Sequence, residues 1–443
     1  MKHKSGGSAE RPKPSRSVAS APSKLLLPVV KGAAPPSAHF ACRECPARCC
    51  RLPWGIRFGE EERARYLAEP FVAERVGAAG LAVLGRGLLP TRVENARLQC
   101  AFLDDDELCS LQKRFGHAYL PRPCQAFPFG FVRDERDQHL AQLSLLCPSV
   151  RDDRGEPVEP QLADKLTQRG GPTRLSTRMA TLAGVMLTRP QFLRVAERWS
   201  DALAPANEGS VAAQLAGLVE WTAAFESALV GGEHATDAAM DAALTAADAH
   251  ALTPFTPRPR SSYHARLHFA FSLANLCFPS RLRQPNRIDA PVPLEGLRAF
   301  GNKVAWLLER GTVDLLFLPK PIALGRVRRI PRVLAGEHGA LVRDYLRLVL
   351  ARRQVFAEPR HLAAVLLDLC LGAALVSRFA RCSAVAHGRP AANADDVREG
   401  IGVAELLLLH HAAMGELPPY LVRFRWALLT DPQKLRALLA SEA

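Results

Sequence analysis

Apolar residues recur every three or four positions along the last two-thirds of the chain, which is the spacing of one face of an α-helix. Proline and glycine separate successive runs and mark where the helices end. The pattern predicts helices over residues 177–204, 211–230, 237–251, 263–276, 341–356, 360–385 and 395–414. Asn393 is expected to cap the last of these, with Asp396 three positions on. Residues 153–443 are therefore predicted to form a mostly α-helical domain.

Residues 40–152 carry a different pattern, with short apolar runs between clusters of turn-forming residues. A helix is expected over residues 60–76, because acidic residues occupy its first turn, where the helix dipole favours them. The fold class predicted for the whole chain is α+β: a small cysteine-rich metal-binding domain with short hairpins, followed by the helical domain.

Two hairpins are expected within residues 40–152. The first joins 97–103 to 107–112 around an aspartate-rich turn, which we interpret as solvated rather than as a cation site. The second joins 130–132 to 139–146 through a charged turn. These strands are the β component of the predicted fold.

The net charge of +14 is distributed along the chain. Residues 1–39 carry seven Lys or Arg and one acidic residue, and their abundant Pro and Ser predict a disordered basic tail. Residues 40–152 carry sixteen Lys or Arg against fifteen Asp or Glu. Because the basic charge does not concentrate in one patch, we expect no specific nucleic-acid partner.

The most apolar stretch, residues 362–376, is shorter than the roughly 20 residues that cross a bilayer, and Asp368 interrupts it. We therefore expect a buried helix and no membrane span. No secretory signal is visible among the first residues. The expected location is the cytoplasm, where thiols stay reduced.

Eight of the eleven cysteines lie between residues 42 and 147, and four of them fall within CRECPARCC at residues 42–50. The candidate metal ligands are Cys42, Cys45, Cys49, Cys50, Cys100, Cys109, Cys124 and Cys147. A C-x2-C step can place two sulfur atoms on one metal centre. The adjacent Cys49 and Cys50 point in opposite directions if the chain is extended, so one can face the metal while the other packs or serves a second centre.

Three interpretations of these cysteines compete. A disulfide framework suits a small secreted domain, and the large attached helical region argues against it. Zinc is the metal that C-x2-C pairs usually bind, although zinc ribbons carry two such pairs and this chain has one. An iron–sulfur cluster accepts ligands from irregularly spaced loops. The spacing of the cysteines alone does not decide between zinc and an iron–sulfur cluster.

The combined motif resembles two related families, the YkgJ-type cysteine-cluster proteins and the flagellin lysine-N-methylases. The resemblance rests on CRECPARCC, on QCAFLDDDELCSLQKRFGHAYLPRPCQAFPF and on LSLLCPSV, and it covers about 110 residues. The YkgJ-type proteins are described as zinc- or iron-chelating. The methylases are associated with an iron–sulfur cluster and S-adenosylmethionine.

The resemblance favours a [4Fe–4S] cluster over zinc. It suggests Cys42, Cys45, Cys49 and Cys124 as ligands, with Cys50, Cys100, Cys109 and Cys147 as a second set or a supporting shell. The activity that it implies is S-adenosylmethionine-dependent methylation of lysine side chains on a protein substrate. The alternative is a non-catalytic zinc- or iron-binding accessory, electron-transfer or interaction protein. No catalytic or S-adenosylmethionine-binding residue is identified.

Overall fold

The computed structural model describes most of the chain beyond residue 55. The described residues are 25–26, 39–42, 48–51, 55–94, 97–133, 139–169, 172–205, 207, 209–229, 232–258, 260–277, 286–289, 294–357, 361–409 and 419–443. Cys45 and nearly all of the predicted basic tail lie outside these ranges, and so does the end of the predicted helix 395–414.

Helices dominate the described chain, as predicted. They are α1 (Glu60–Ala68), α2 (Pro70–Leu84), α3 (Ser110–Phe115), α4 (Arg122–Ala126), α5 (Pro148–Arg151), α6 (Leu162–Arg169), α7 (Arg189–Ala202), α8 (Val211–Ala228), α9 (Asp237–Asp248), α10 (Tyr263–Ser272), α11 (Glu295–Leu308), α12 (Leu324–Val327), α13 (Gly339–Ala351), α14 (Leu362–Ala386), α15 (Ala394–Leu409), α16 (Pro419–Leu429) and α17 (Pro432–Ala440).

The strands are short. They are β1 (Leu25–Leu26), β2 (His39–Phe40), β3 (Thr91–Glu94), β4 (Arg97–Cys100), β5 (Phe129–Arg133), β6 (His139–Leu143), β7 (Glu156–Pro157), β8 (Thr173–Arg174), β9 (Arg178–Ala180), β10 (Met186–Thr188), β11 (Thr312–Val313) and β12 (Ile322–Ala323). One sheet has the order β1-β6-β5-β8. The remaining strands form antiparallel pairs: β2 with β7, β3 with β4, β9 with β10 and β11 with β12. The chain is therefore mixed α+β with small sheets.

The hairpin predicted over 130–132 and 139–146 is confirmed, because β5 and β6 pair antiparallel with Phe129 opposite Leu143. The hairpin predicted around the aspartate turn is wrong. The strand β4 pairs with β3, and residues 110–115 form α3. Only a single bridge, between Leu103 and Cys109, spans the turn. Lys113 and Arg75 bind the carboxylates of this turn, so it is held by ion pairs.

Two predicted helices differ from the structure for local reasons. The predicted helix 60–76 is split into α1 and α2, because Glu69 precedes Pro70 and takes an extended conformation. The predicted helix 177–204 starts only at Arg189, and the β9–β10 hairpin occupies its first part. The helix α11 was not predicted.

The helix α14 lies at the centre of the largest apolar cluster, which contains residues from every helix from α7 to α17. It is the one helix in the described chain that is long and apolar enough to cross a membrane, but 89% of its most apolar window is buried inside the protein. The buried helix predicted for residues 362–376 is therefore confirmed. The lone cysteines Cys277, Cys370 and Cys382 are all buried in this cluster.

Two smaller clusters lie beside the main one. The first surrounds Phe102 and Tyr66 and contains cysteine side chains. The second lies under the β5–β6 hairpin and continues past the predicted boundary at residue 152, to Leu166. Val132 and Leu146 pack in the main cluster, so apolar packing links the sheet to the helices. The division into domains at residue 152 stays a prediction.

His268 on α10 makes the fold sensitive to acid. Its Nε2 atom lies 3.2 Å from the carbonyl oxygen of Leu371, and Asp368 and Arg425 are its charged neighbours. Burial lowers the pKa of His268 from 6.5 to about 3. Below pH 6.5 the unfolded chain takes up a proton that the folded chain does not, so the free energy of unfolding falls by up to ~1.4 kcal/mol per pH unit.

We expect His268→Gln to flatten the acid side of the stability profile. Urea unfolding at pH 6.5 and pH 4.5 compares the two proteins, and carboxylates that titrate in this range cancel between them. The wild type should lose ~2–3 kcal/mol more than the variant over this interval. Equal losses in both proteins would contradict a neutral buried imidazole.

Candidate cysteine-cluster site

A 3₁₀ turn at Arg48–Arg51 presents Cys49 and Cys50. The turn is fixed on both sides by ion pairs. Buried Arg48 binds Glu399 on α15, and its guanidinium lies 4.0 Å from the centre of the Phe317 ring. Arg51 binds Glu107 at 2.7 Å. The adjacent cysteines are thus attached to the helical part of the molecule and to the aspartate turn.

Three further segments bring cysteines to the same place. Cys100 ends β4, Cys109 is the residue before α3, and Cys124 lies within α4. Cys50, Cys100, Cys109 and Cys124 all pack in the apolar cluster around Phe102. Four segments that are distant in sequence therefore supply thiols to one buried region.

Cys49 adjoins this group. Its Sγ atom lies 3.9 Å from that of Cys50, and its charge is felt by Cys50, Cys100, Cys109 and Cys124. The hydrogen bond between the two adjacent thiols lowers the pKa of Cys49 and raises that of Cys50. We use the name thiol cluster for Cys49, Cys50, Cys100, Cys109 and Cys124.

The other members of the thiol cluster resist ionisation. Burial raises the pKa of Cys100 to about 12 and also raises the pKa values of Cys109 and Cys124. Neighbouring thiolates add to the increase at all three. Arg48 and Arg51, which flank the adjacent cysteines, are paired with carboxylates. A bound metal cation would favour the ionised form of the thiols in this cluster more than these paired arginines do.

The remaining predicted ligands are placed differently. Cys42 is exposed, its Sγ atom lies 4.0 Å from Gln112 Oε1, and its charge reaches Cys124. Cys147 is buried in the second small cluster, with Phe129 and Leu143. Cys45 lies outside the described residues. Within the described ranges, no three His, Cys, Asp or Glu side chains are arranged as a ready metal site.

A cleft opens beside the residues that hold the cysteine turn. It encloses about 500 Å³ and is lined by Arg151, Asp152, Asp153, Arg154, Asp395, Arg398 and Glu399. Glu399 binds Arg151 at 2.8 Å and also pairs with Arg48. One ion pair therefore separates the cleft from the turn that carries Cys49. The sequence pattern did not indicate this cleft, because Glu399 lies about 350 residues from Arg48 and only the fold brings them together.

The fold and the site define a class of protein. It is a mostly helical protein in which four segments supply thiols to one buried region. No protein-family profile and no solved structure matches the chain. The chain is 31% identical over 122 residues to a lysine-N-methylase of Salmonella choleraesuis, which is 25% of this chain and 29% of that protein. A lysine-N-methylase of Salmonella typhimurium is 30% identical over the same shares.

The flagellar biosynthetic protein FliU of Salmonella muenchen is 30% identical over 122 residues, and the match covers 69% of its length. The chain therefore belongs to the family of FliU, through a stretch that makes up 25% of its own length. It spans less than a third of the lysine-N-methylases that it matches.

Proposed function

We propose that the thiol cluster binds a metal centre and that the chain is a protein lysine N-methylase-like enzyme. The observation that carries the first part is that thiols from four segments pack in one apolar cluster, with the Cys49 Sγ atom 3.9 Å from that of Cys50. The second part is supported by the similarity to lysine-N-methylases of Salmonella. A cytoplasmic location, which keeps thiols reduced, belongs to the same proposal.

The donor chemistry of the cluster fits a thiolate-ligated metal. Thiolates are soft ligands, and four of them satisfy either tetrahedral zinc or one [4Fe–4S] cluster. The described candidates are the five cysteines of the thiol cluster, and Cys42 and Cys45 precede them in the sequence. The resemblance to the methylases favours iron–sulfur. In the folded protein such a centre would offset the mutual repulsion of the buried thiolates.

The methyl donor in this proposal is S-adenosylmethionine, which would supply an activated methyl group. The cleft beside Glu399 is suited to the amino-acid end of that molecule because it offers both signs of charge. Arg154 is largely exposed and lies 3.7 Å from its nearest carboxylate, so it is available to bind a carboxylate group. Asp395 is 80% exposed and pairs with Arg398 at 2.7 Å on the protein surface, where an ammonium group would compete for its carboxylate.

Mass spectrometry of lysine methylation tests the activity. Proteins from cells that produce the wild-type chain are compared with proteins from cells that produce Cys49→Ser or the control Cys370→Ala. Cys370 is a buried thiol on α14, outside the thiol cluster. We expect specific methyl-lysines with the wild type and the control, and their loss with Cys49→Ser. A methyl-lysine profile that is identical with and without the chain would favour a non-catalytic metal-binding accessory protein.

A further inference from the structure

The helix α11 presents an apolar stripe on its outer face. Leu297, Phe300 and Leu308 have 64%, 55% and 53% of their surface exposed, and Val304 lies half-buried between them. These residues are three or four positions apart and so fall on one side of the helix. Large apolar side chains grouped in this way are typical of an interaction surface.

The opposite face and both ends of α11 are fixed. Trp306 is fully buried and donates a hydrogen bond from Nε1 to the Cys277 sulfur at 3.4 Å. Glu295, in the first turn, binds Arg287 at 2.9 Å. Glu309, just after the last turn, binds buried Arg378 at 2.6 Å. The stripe is therefore displayed on a helix whose orientation is already set, which lowers the entropy cost of binding a partner.

Cations without carboxylate partners flank the stripe. Arg298 and Arg310 are exposed, and across the part of the chain that the structure describes neither guanidinium joins an ion pair. Both glutamates at the helix ends are already paired, with Arg287 and Arg378. The outer face is thus apolar and positive, and it is complementary to an apolar surface with acidic borders.

We propose that this stripe is a docking site for an amphipathic α-helix of another protein that carries acidic residues beside its apolar seam. A narrow seam with three- and four-residue spacing is the form in which two helices pack. Gly301 lies within it, and a Cβ atom there would meet nothing within 4 Å, so a partner backbone can approach closely. A second copy of this chain would bring guanidinium groups against guanidinium groups.

The site is also close to the cysteine unit. Residues 286–289, immediately before α11 in the described chain, are joined to β3. Thr91 N donates to the Asn286 carbonyl at 2.8 Å, and Ile288 N donates to the Thr91 carbonyl at 2.9 Å. Thr91 pairs with Cys100 across the β3–β4 hairpin. A partner bound on the stripe would thus lie beside the unit that carries the thiol cluster.

A labelled synthetic helix tests the proposal directly. The probe is a peptide of about three heptads with leucine along the seam and glutamate at the flanking positions, and its twin carries lysine in place of glutamate. Fluorescence anisotropy is measured with the wild type, with the double variant Leu297→Glu/Phe300→Glu, and with Leu252→Glu as a control. Leu252 is also more than half exposed but lies outside the stripe. Because all three residues are exposed, the variants should fold, and circular dichroism checks this.

We expect the acidic peptide to bind the wild type and the control, and the double variant to bind it at least ~10-fold more weakly. The lysine peptide should bind poorly to all three. Failure of the acidic peptide to bind at about 100 μM would overturn the proposal, as would equal binding to the double variant or equal binding of both peptides. Preferential binding of anionic phospholipid vesicles, or a stripe-dependent dimer, would overturn it in favour of those occupants. None of these results depends on methyl transfer.

Discussion

The variant Glu442→Gln is expected to lose about 3–5 kcal/mol of unfolding free energy, because it leaves buried cations without their counter-charge. Glu442 is fully buried. Its two carboxylate oxygens bind Arg378 and Arg381, each at 2.6 Å. Arg378 keeps a second carboxylate partner, Glu309. Arg381 is buried as well, and burial lowers its pKa to about 10, so the loss of Glu442 falls mainly on Arg381.

Urea unfolding at pH 7 measures the difference, with Glu337→Gln as the matched control. Glu337 is 86% exposed and makes only a surface pair with His338, so its replacement should cost less than about 1 kcal/mol. The double variant Glu442→Gln/Arg381→Met should recover part of the loss, because the unpaired charge is removed. A cost for Glu442→Gln as small as that of the control would show that this buried network does not hold the helical core together.

Cys49→Ser is expected to have the largest effect on metal content. Cys49 is the thiol whose charge reaches every other member of the thiol cluster. Substitutions in the outer shell of metal sites typically lower affinity by ~10–100-fold, and the loss of a central ligand should exceed that. Because metal binding by buried thiolates contributes to folding, the variant should also unfold at lower urea concentration.

Cys370→Ala is again the control, since it removes a buried thiol from α14 without touching the cluster. Metal per chain is measured by plasma mass spectrometry after purification without oxygen. The control should bind as much metal as the wild type. If Cys49→Ser also retains the full amount, the metal is held elsewhere and Cys49 is not a ligand.

Sequence reasoning succeeded where the signal was local. Asn393 was expected to cap the helix beginning near 395. In the structure, Asp396 N donates to Asn393 Oδ1 at 2.9 Å, and Asn393 N donates to Asp396 Oδ2 at 3.0 Å. The β5–β6 hairpin was predicted for the same reason, since its strands are separated by a short charged turn. Such features depend on residues a few positions apart.

The errors came where one stretch of sequence could adopt more than one structure. The stretch after the aspartate turn could form either a strand or a helix, and β3 decided the outcome by pairing with β4. The helix α11 follows several prolines and arginines that indicated loops. It also carries exposed apolar residues on its outer face, so it lacks the usual alternation of one apolar and one polar face.

For the candidate site, too, the sequence indicated some features and not others. The spacing of the cysteines indicated that they meet, and the structure brings five of them together. Spacing could not indicate that Cys147 packs under the β5–β6 hairpin. It also could not reveal the ion pair between Arg48 and Glu399, which joins the cysteine turn to α15. Which cysteines share a metal centre stays a proposal.

Analysis of the protein purified without oxygen tests the central claim most directly, by metal content and absorption spectrum together. We expect bound metal that disappears in Cys49→Ser, with broad visible absorption if the centre is the favoured iron–sulfur cluster and no such absorption if it is zinc. A folded wild-type protein that contains neither iron nor zinc would contradict it.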